Sequence, residues 1–332
     1  MRTRFTRRRF LTISACAAGV GLLPFGAGSR AAARLVEWQG LSLGALATIR
    51  IQHGDEGVAQ RILREVLAEA RRLENILSLY RADSALRELN LRGVLVGPPP
   101  ELADLLALCN RIWHSTGGMF DPTVQPLWQC YAEHFSTEGA PFEPPAPEKL
   151  QTALKLVGWP GVAFNRDRIV LERRGMALTL NGIAQGYITD RVVDLLRHRG
   201  IENCHVDMGE IRTLGGPDGK PWQVALQGPA ATPLAKIDDT VNMAVATSGA
   251  AGFQFDQNGL YNHLFHPATG RCSNPARSIT VVHASAAEAD ALSTAFSLMG
   301  DAEIVRVLGR GSGARVYATT VRETREIGVN KS

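Results

Sequence analysis

The chain is poor in several features that would place it in a familiar class. It has five cysteines in 332 residues. The four that follow the first (Cys109, Cys130, Cys204 and Cys272) form no C-x-x-C and keep no regular spacing, which disfavours a zinc site. No apolar run after Ala33 approaches the roughly twenty residues that a helical membrane span needs. Neither G-x-x-x-x-G-K-[ST] nor G-x-G-x-x-G occurs, so the ordinary nucleotide-binding classes lack their fingerprint. A basic surface is missing too. Six arginines and no acid lie in residues 1–33, so the +4 of the whole chain becomes −2 over the remainder, which argues against a nucleic-acid partner. What is present is a core: with 45% hydrophobic residues the chain can bury one large domain or two closely joined lobes.

Residues 1–33 read as an export signal. Thr6, Arg7, Arg8, Arg9, Phe10 and Leu11 make a twin-arginine pattern, residues 13–27 a weakly apolar stretch, and Ala31, Ala32 and Ala33 a small-residue cleavage site. Too few apolar residues separate Cys16 from the arginines for a lipoprotein box. The expectation is twin-arginine export to the periplasm, with residues 34–332 as the working domain.

The densest chemistry lies in 278–300. Residues 278–283 are β-branched and short, predicting a strand. Ser285 and Glu288 then stand at capping-box spacing before a helix that Gly300 is expected to end. On that helix Asp290 and Thr294 are four residues apart, so a carboxylate and a hydroxyl share a face. The pair suits a hard cation such as Mg²⁺. The alternative has Thr294 bonded back to a helix carbonyl and Asp290 solvated.

Elsewhere the pattern predicts a strand over 41–52, helices over 56–79 and 101–115, and a short helix near 84–90 after Tyr80, an aromatic that can stack on a flat ligand or belong to the core. Two glycines and two prolines around Asp121 mark an ordered loop in which that acid reads as a turn or cap carboxylate. A strand over 176–180 leads through the turn 181–186 into a helix over 187–197, and such a turn is either an anion site or plain strand-to-helix packing. His263 lies in a hairpin-like region beside a proline turn, where it serves either substrate or structure.

In order, GGMFDPTV (117–124), NGIAQGYITD (181–190), VATSG (245–249), HLFHPATG (263–270) and EADALSTA (288–295) resemble the FAD:protein FMN transferase family, known as ApbE-like, over residues 41–321. The resemblance implies an α+β fold of mixed sheets and packed helices in two lobes, with FAD as substrate in a cleft. It implies Mg²⁺ held by Asp290, Thr294 and a backbone oxygen at Ala184. FMN would pass from FAD to a threonine or serine hydroxyl of an exported or membrane flavoprotein, releasing AMP, with peripheral contact at the acceptor's membrane. Asp290 would be the chief metal ligand and an acceptor of the hydroxyl's proton, and His263 would assist at the phosphates. Tyr80, Asp121, Gly182, Ala184, Gln185 and Ser248 would line the nucleotide site. The chain departs from the family pattern at Gln185, where lysine is usual, at Glu210 of Met208-Gly209-Glu210 (usually G-G-D), at His266 (usually Asp) and at Leu43-Gly44-Ala45 (usually M-G-T). Export resembles the branch linked to nitrous-oxide respiration. The same residues would also serve a Mg²⁺-dependent FAD pyrophosphatase or a non-catalytic flavin carrier.

Overall fold

The computed structural model describes residues 34–42, 45–137, 142–216, 219–227 and 233–328. The predicted signal and the Leu43-Gly44 pair lie outside these residues. The chain opens with β1 (Arg34–Ser42) and β2 (Ala45–His53), which pair antiparallel from Arg34↔His53 to Ser42↔Ala45. The single strand expected over 41–52 is therefore the end of one strand and most of the next. Asp55 then accepts the Val58 N–H at 3.0 Å and caps α1 (Glu56–Leu77), whose buried Ile62, Leu63, Val66, Ala70, Leu73 and Leu77 recur at helical spacing. Ser84 caps α2 (Ala85–Arg92), and Gly93, at φ 72°, ends it in the left-handed conformation.

Next come β3 (Val94–Val96), α3 (Pro100–Ser115), α4 (Gln125–Ser136), α5 (Pro147–Leu154), β4 (Val162–Phe164), β5 (Arg168–Leu171) and α6 (Ala184–His198). The second half contains β6 (Cys204–Asp207), β7 (Ile211–Leu214), β8 (Val224–Gln227), β9 (Pro233–Ile237), β10 (Ala244–Gly249) and β11 (Ser278–His283). It closes with α7 (Ala286–Phe296), α8 (Asp301–Leu308), β12 (Arg315–Thr319) and β13 (Thr324–Ile327). Eight strands form one sheet in the order β1-β2-β6-β7-β10-β11-β12-β13, with every pairing antiparallel. The fold is α+β, as expected.

β11 has the bounds expected of it and is buried on both faces. Ile279 and Val281 enter the main core with α1, α6 and α7, while Val282 faces a second cluster with Val224, Leu226 and Ile237. A strand covered on both sides needs no polar-out alternation, and here even Ser278 and Thr280 are buried. A separate aromatic core joins α4 and α5 to the 253–265 segment through Tyr131, Phe253, Phe255 and Phe265.

Three local expectations are corrected. Residues 176–180 are extended but belong to no ladder: Leu178 exchanges both backbone hydrogen bonds with the Asn90 side chain, and Thr179 donates to the Pro122 carbonyl. Helix α6 begins at Ala184 rather than at 187, so Gln185 and Gly186 belong to its first turn. Gly300 does not end α7, which stops at Phe296; Gly300 instead caps α8, its N–H donating to Glu303 at 2.8 Å.

Candidate active site

The site is built where the N-termini of α6 and α7 cross. A Cβ on Gly186 would lie 2.2 Å from the Ala286 carbonyl oxygen, so only glycine allows this approach. Each helix supplies the carboxylate that caps the other. From α6, Asp190 Oδ1 accepts the Ala286 N–H at 2.8 Å, and Oδ2 accepts the Ala287 N–H at 3.1 Å and the Ser285 hydroxyl at 2.7 Å. From α7, Asp290 Oδ2 accepts the Gly186 N–H at 3.2 Å. Anions at both N-termini are stabilised by the free N–H groups and the helix dipoles. Only half of the expected capping box forms. Ser285 accepts the Glu288 N–H at 3.3 Å, but the Glu288 carboxylate faces His283 at 3.6 Å, and Asp190, itself bound to Arg212 at 2.7 Å, supplies the anionic cap.

A cavity opens beside this crossing. Asp290 and Thr294 line it from one face of α7 and Leu298 from just past the helix end, together with Gly182, Gln185, Glu210, Ser248 and His263. Asp290 and Glu210 are 4% and 5% exposed. Burial pushes Asp290 up to about 8. Burial also holds Glu210 well above the usual carboxylate range, with the charges of Asp290 and Asp207 adding to the effect. Two acids that resist ionisation together form a place where an incoming cation would be welcome. Sequence reasoning noted Glu210 only as a departure from a motif and missed its place here, because nothing local brings β7 to α7.

Asp290 is buried rather than solvated, and Thr294 is not the hydroxyl that bonds back to a helix carbonyl. Its Oγ1 lies 3.3 Å from Ser248 Oγ, and the hydroxyls that bond back to helix carbonyls are Ser293, to Asp290, and Ser297, to Thr294. Ser248 also meets Ser293 Oγ at 2.7 Å. Gly182 packs over Thr294, since a Cβ there would come within 2.8 Å of Oγ1. Carboxylate and hydroxyl donors of this kind suit a hard cation, and they fit Mg²⁺ better than a softer metal. Among the described residues no group of three His, Cys, Asp or Glu side chains is arranged to hold a metal, so any ion here would draw on hydroxyl, backbone or water oxygens as well. Among the described residues the four cysteines are free, and the buried Cys109 and Cys204 thiols are far from ionising.

The remaining expected residues divide. Gln185 is 7% exposed and packs on Gly209, where φ is +102° and a Cβ would fall 2.4 Å from the Gln185 amide nitrogen. His263 Nδ1 lies 3.1 Å from the Phe253 carbonyl, so it must carry the proton, and Nε2 keeps its lone pair. Burial lowers its pKa, so the ring is neutral at pH 7. Asp121 lines the cavity but is also the turn carboxylate read from the sequence. It accepts the Thr123 N–H at 2.8 Å, the Thr123 hydroxyl at 2.6 Å and the Trp159 N–H at 3.1 Å. Tyr80 does not line this cavity. It lies in an adjoining groove that shares Asn181 and Trp128 with it, and its hydroxyl accepts from Asn181 at 3.1 Å. Ala184 is buried and does not line the cavity either; the residues of that turn which do are Asn181, Gly182 and Gln185.

The fold and the cleft together define a class: an antiparallel α+β protein with a buried acid-and-hydroxyl site walled in part by Phe120, Trp128 and Phe265. Comparison with known proteins narrows the class. Residues 43–317 match the model of the ApbE family, and the chain belongs to that family. It is 28% identical over 293 residues to the FAD:protein FMN transferase of Haemophilus influenzae, covering 82% of this chain and 83% of that protein. It is 29% identical over 284 residues to the protein of the same name from Vibrio cholerae, covering 83% and 84%. Among solved structures it resembles the apo flavinyl transferase ApbE of Pseudomonas stutzeri, with a TM-score of 0.75, 26% identity, and 88% of this chain and 94% of that one covered. The ApbE protein of Thermotoga maritima gives a TM-score of 0.78 at 25% identity, with 88% and 97% covered.

Proposed function

We propose that the protein is an exported FAD:protein FMN transferase that moves FMN from FAD to a threonine or serine hydroxyl of a flavoprotein, releasing AMP. The observation that carries this reading is the cavity's oxygen-rich end, where Asp290 and Thr294 stand on one face of α7 beside Ser248 and Glu210. Asp290, Thr294 and an oxygen of the 181–184 turn would hold Mg²⁺, which supplies neutralisation of pyrophosphate charge.

The chain's own residues account for the remainder. The acceptor hydroxyl attacks the phosphorus on the FMN side, the bond from that phosphorus to the bridging oxygen breaks, and AMP departs with that oxygen. The hydroxyl's proton passes to His263 Nε2, which is unprotonated at neutral pH because burial lowers its pKa and Nδ1 is committed to Phe253. A base so placed contributes on the order of 10²- to 10⁴-fold in rate. This assignment gives His263 the proton that the family resemblance would give to Asp290, and leaves the Asp290 carboxylate to the cation. Trp128 and Phe265, both part of the aromatic core, line the cavity as well and would limit water at the reacting phosphorus.

Incubating the protein with FAD, Mg²⁺ and a threonine-bearing flavoprotein acceptor tests the reading. The expected products are AMP and acceptor carrying covalent FMN. AMP and free FMN would instead indicate a pyrophosphatase, and bound FAD without AMP a carrier.

A further inference from the structure

Acids outnumber cations around the cavity. Asp121, Glu210 and Asp290 line it, and Arg277 is its sole lysine or arginine among the described residues. Arg277 donates through Nη1 to the Met299 carbonyl at 3.1 Å and through Nη2 to Asp301 Oδ1 at 2.7 Å, but its buried Nε has no partner. The next side chain, Ser278, lines the same cavity, and its buried Oγ is also without a partner. Two adjacent unsatisfied polar groups are uncommon, because a buried donor or acceptor left unpaired has lost its water without replacement. The charge of Arg277 is not cancelled, since Asp301 is shared with Arg325 and one carboxylate faces two guanidiniums. Asp290 and Thr294 follow one another along one face of α7, and Arg277 holds the carbonyl of Met299 just beyond the helix's C-terminal end. A ligand lying along that face meets carboxylate and hydroxyl oxygens first and a guanidinium afterwards.

We propose that Arg277 Nε and Ser278 Oγ form an anion subsite that binds a phosphate oxygen of the flavin nucleotide. The subsite rests on the FMN-transfer reading and gives the cavity a cation of its own. An arginine that touches phosphate holds it by charge-assisted hydrogen bonds, which are stronger than neutral ones.

Equilibrium binding of FAD, FMN and riboflavin, followed by flavin fluorescence without acceptor, tests the subsite. Arg277→Gln should weaken FAD and FMN about tenfold or more and leave riboflavin, which has no phosphate, unchanged. Arg277→Lys should retain part of the affinity, and the retained part should shrink as salt rises. Asp301→Asn breaks the same ion pair, and that to Arg325 with it, yet it should leave FAD binding as tight or tighter. Equal weakening of riboflavin by Arg277→Gln, equal weakening of FAD by Asp301→Asn, or no effect of Arg277→Gln in a protein that binds FAD would each overturn the subsite alone. Failure of the unaltered protein to bind FAD would overturn the FMN-transfer reading and the subsite with it.

Discussion

Replacing Gly186 by alanine tests whether the helix crossing positions the chemistry. By helix propensity alone, alanine within α6 should stabilise the protein by up to about 1 kcal/mol. The crossing predicts the opposite sign. The new Cβ would sit 2.2 Å from the Ala286 oxygen, 2.5 Å from its carbonyl carbon and 2.8 Å from Ala287 Cα. All three are backbone atoms, so no side chain can turn aside, and relief requires α7 to retreat by about 1 Å to reach ordinary contact distance. Overpacking of this kind costs about 1–3 kcal/mol. The same retreat stretches the 3.2 Å bond from Gly186 to Asp290 and the bonds from Asp190 to Ala286 and Ala287, and it carries Asp290 and Thr294 with it. A displacement of that size at a reacting centre costs on the order of 10²-fold in rate. Urea unfolding should therefore show a loss of about 1–3 kcal/mol, and AMP release from FAD should fall about a hundredfold. Gly54→Ala is the control: nothing lies within 4 Å of its new Cβ, and both readouts should hold. A Gly186→Ala protein as stable and as active as its parent would refute the crossing as the device that sets the site.

Three further outcomes are expected. His205 is 2% exposed, both ring nitrogens lack partners, and burial pushes its pKa down to about 4. The folded state refuses a proton that the unfolded chain accepts below about pH 6.5, so its contribution is intact above that value and is lost as pH falls towards 4, about 2 kcal/mol by pH 5. His205→Phe should flatten that part of the acid limb in urea unfolding at pH 7 and 5, and parallel profiles would contradict the assignment. Changing Arg7 and Arg8 together to lysine keeps the charge but removes the recognised pair, so unprocessed precursor should collect in the cytoplasm; unchanged export on fractionation would exclude the twin-arginine route. Gln185→Lys should tighten FAD binding, with a gain that shrinks as salt rises, and an affinity indifferent to the change at every salt concentration would place residue 185 away from the phosphates.

Much of α7 and β11 is legible locally, because a β-branched run, a capping serine and an i,i+4 pair are all short-range signals. Misreadings occur where one local pattern serves two structures. Gly300 fits a helix end as well as the cap of the next helix, and only the Glu303 side chain on its N–H decides between them. Residues 176–180 have strand composition, but their hydrogen bonds go to Asn90 and Pro122, far away in the chain. The hairpin of β1 and β2 was hidden because apolar alternation runs through both strands. Glu210, Asp190 and Arg277 matter through partners contributed by other elements. Asp190 sits in an expected motif with no hint that it caps α7, and Arg277 belongs to no motif at all.

The central claim is that α7 carries the chemistry of FMN transfer, and mass spectrometry of a threonine-bearing acceptor incubated with FAD and Mg²⁺ tests it most directly. The unaltered protein should convert the acceptor to a covalent FMN adduct with one AMP released per adduct. Asp290→Asn, which keeps the side chain's shape and its ability to accept the Gly186 N–H while removing the anionic ligand, should slow adduct formation on the order of a thousandfold or more. Near-normal adduct formation by Asp290→Asn, or cleavage of FAD by the unaltered protein with no mass gained by the acceptor, would contradict the account.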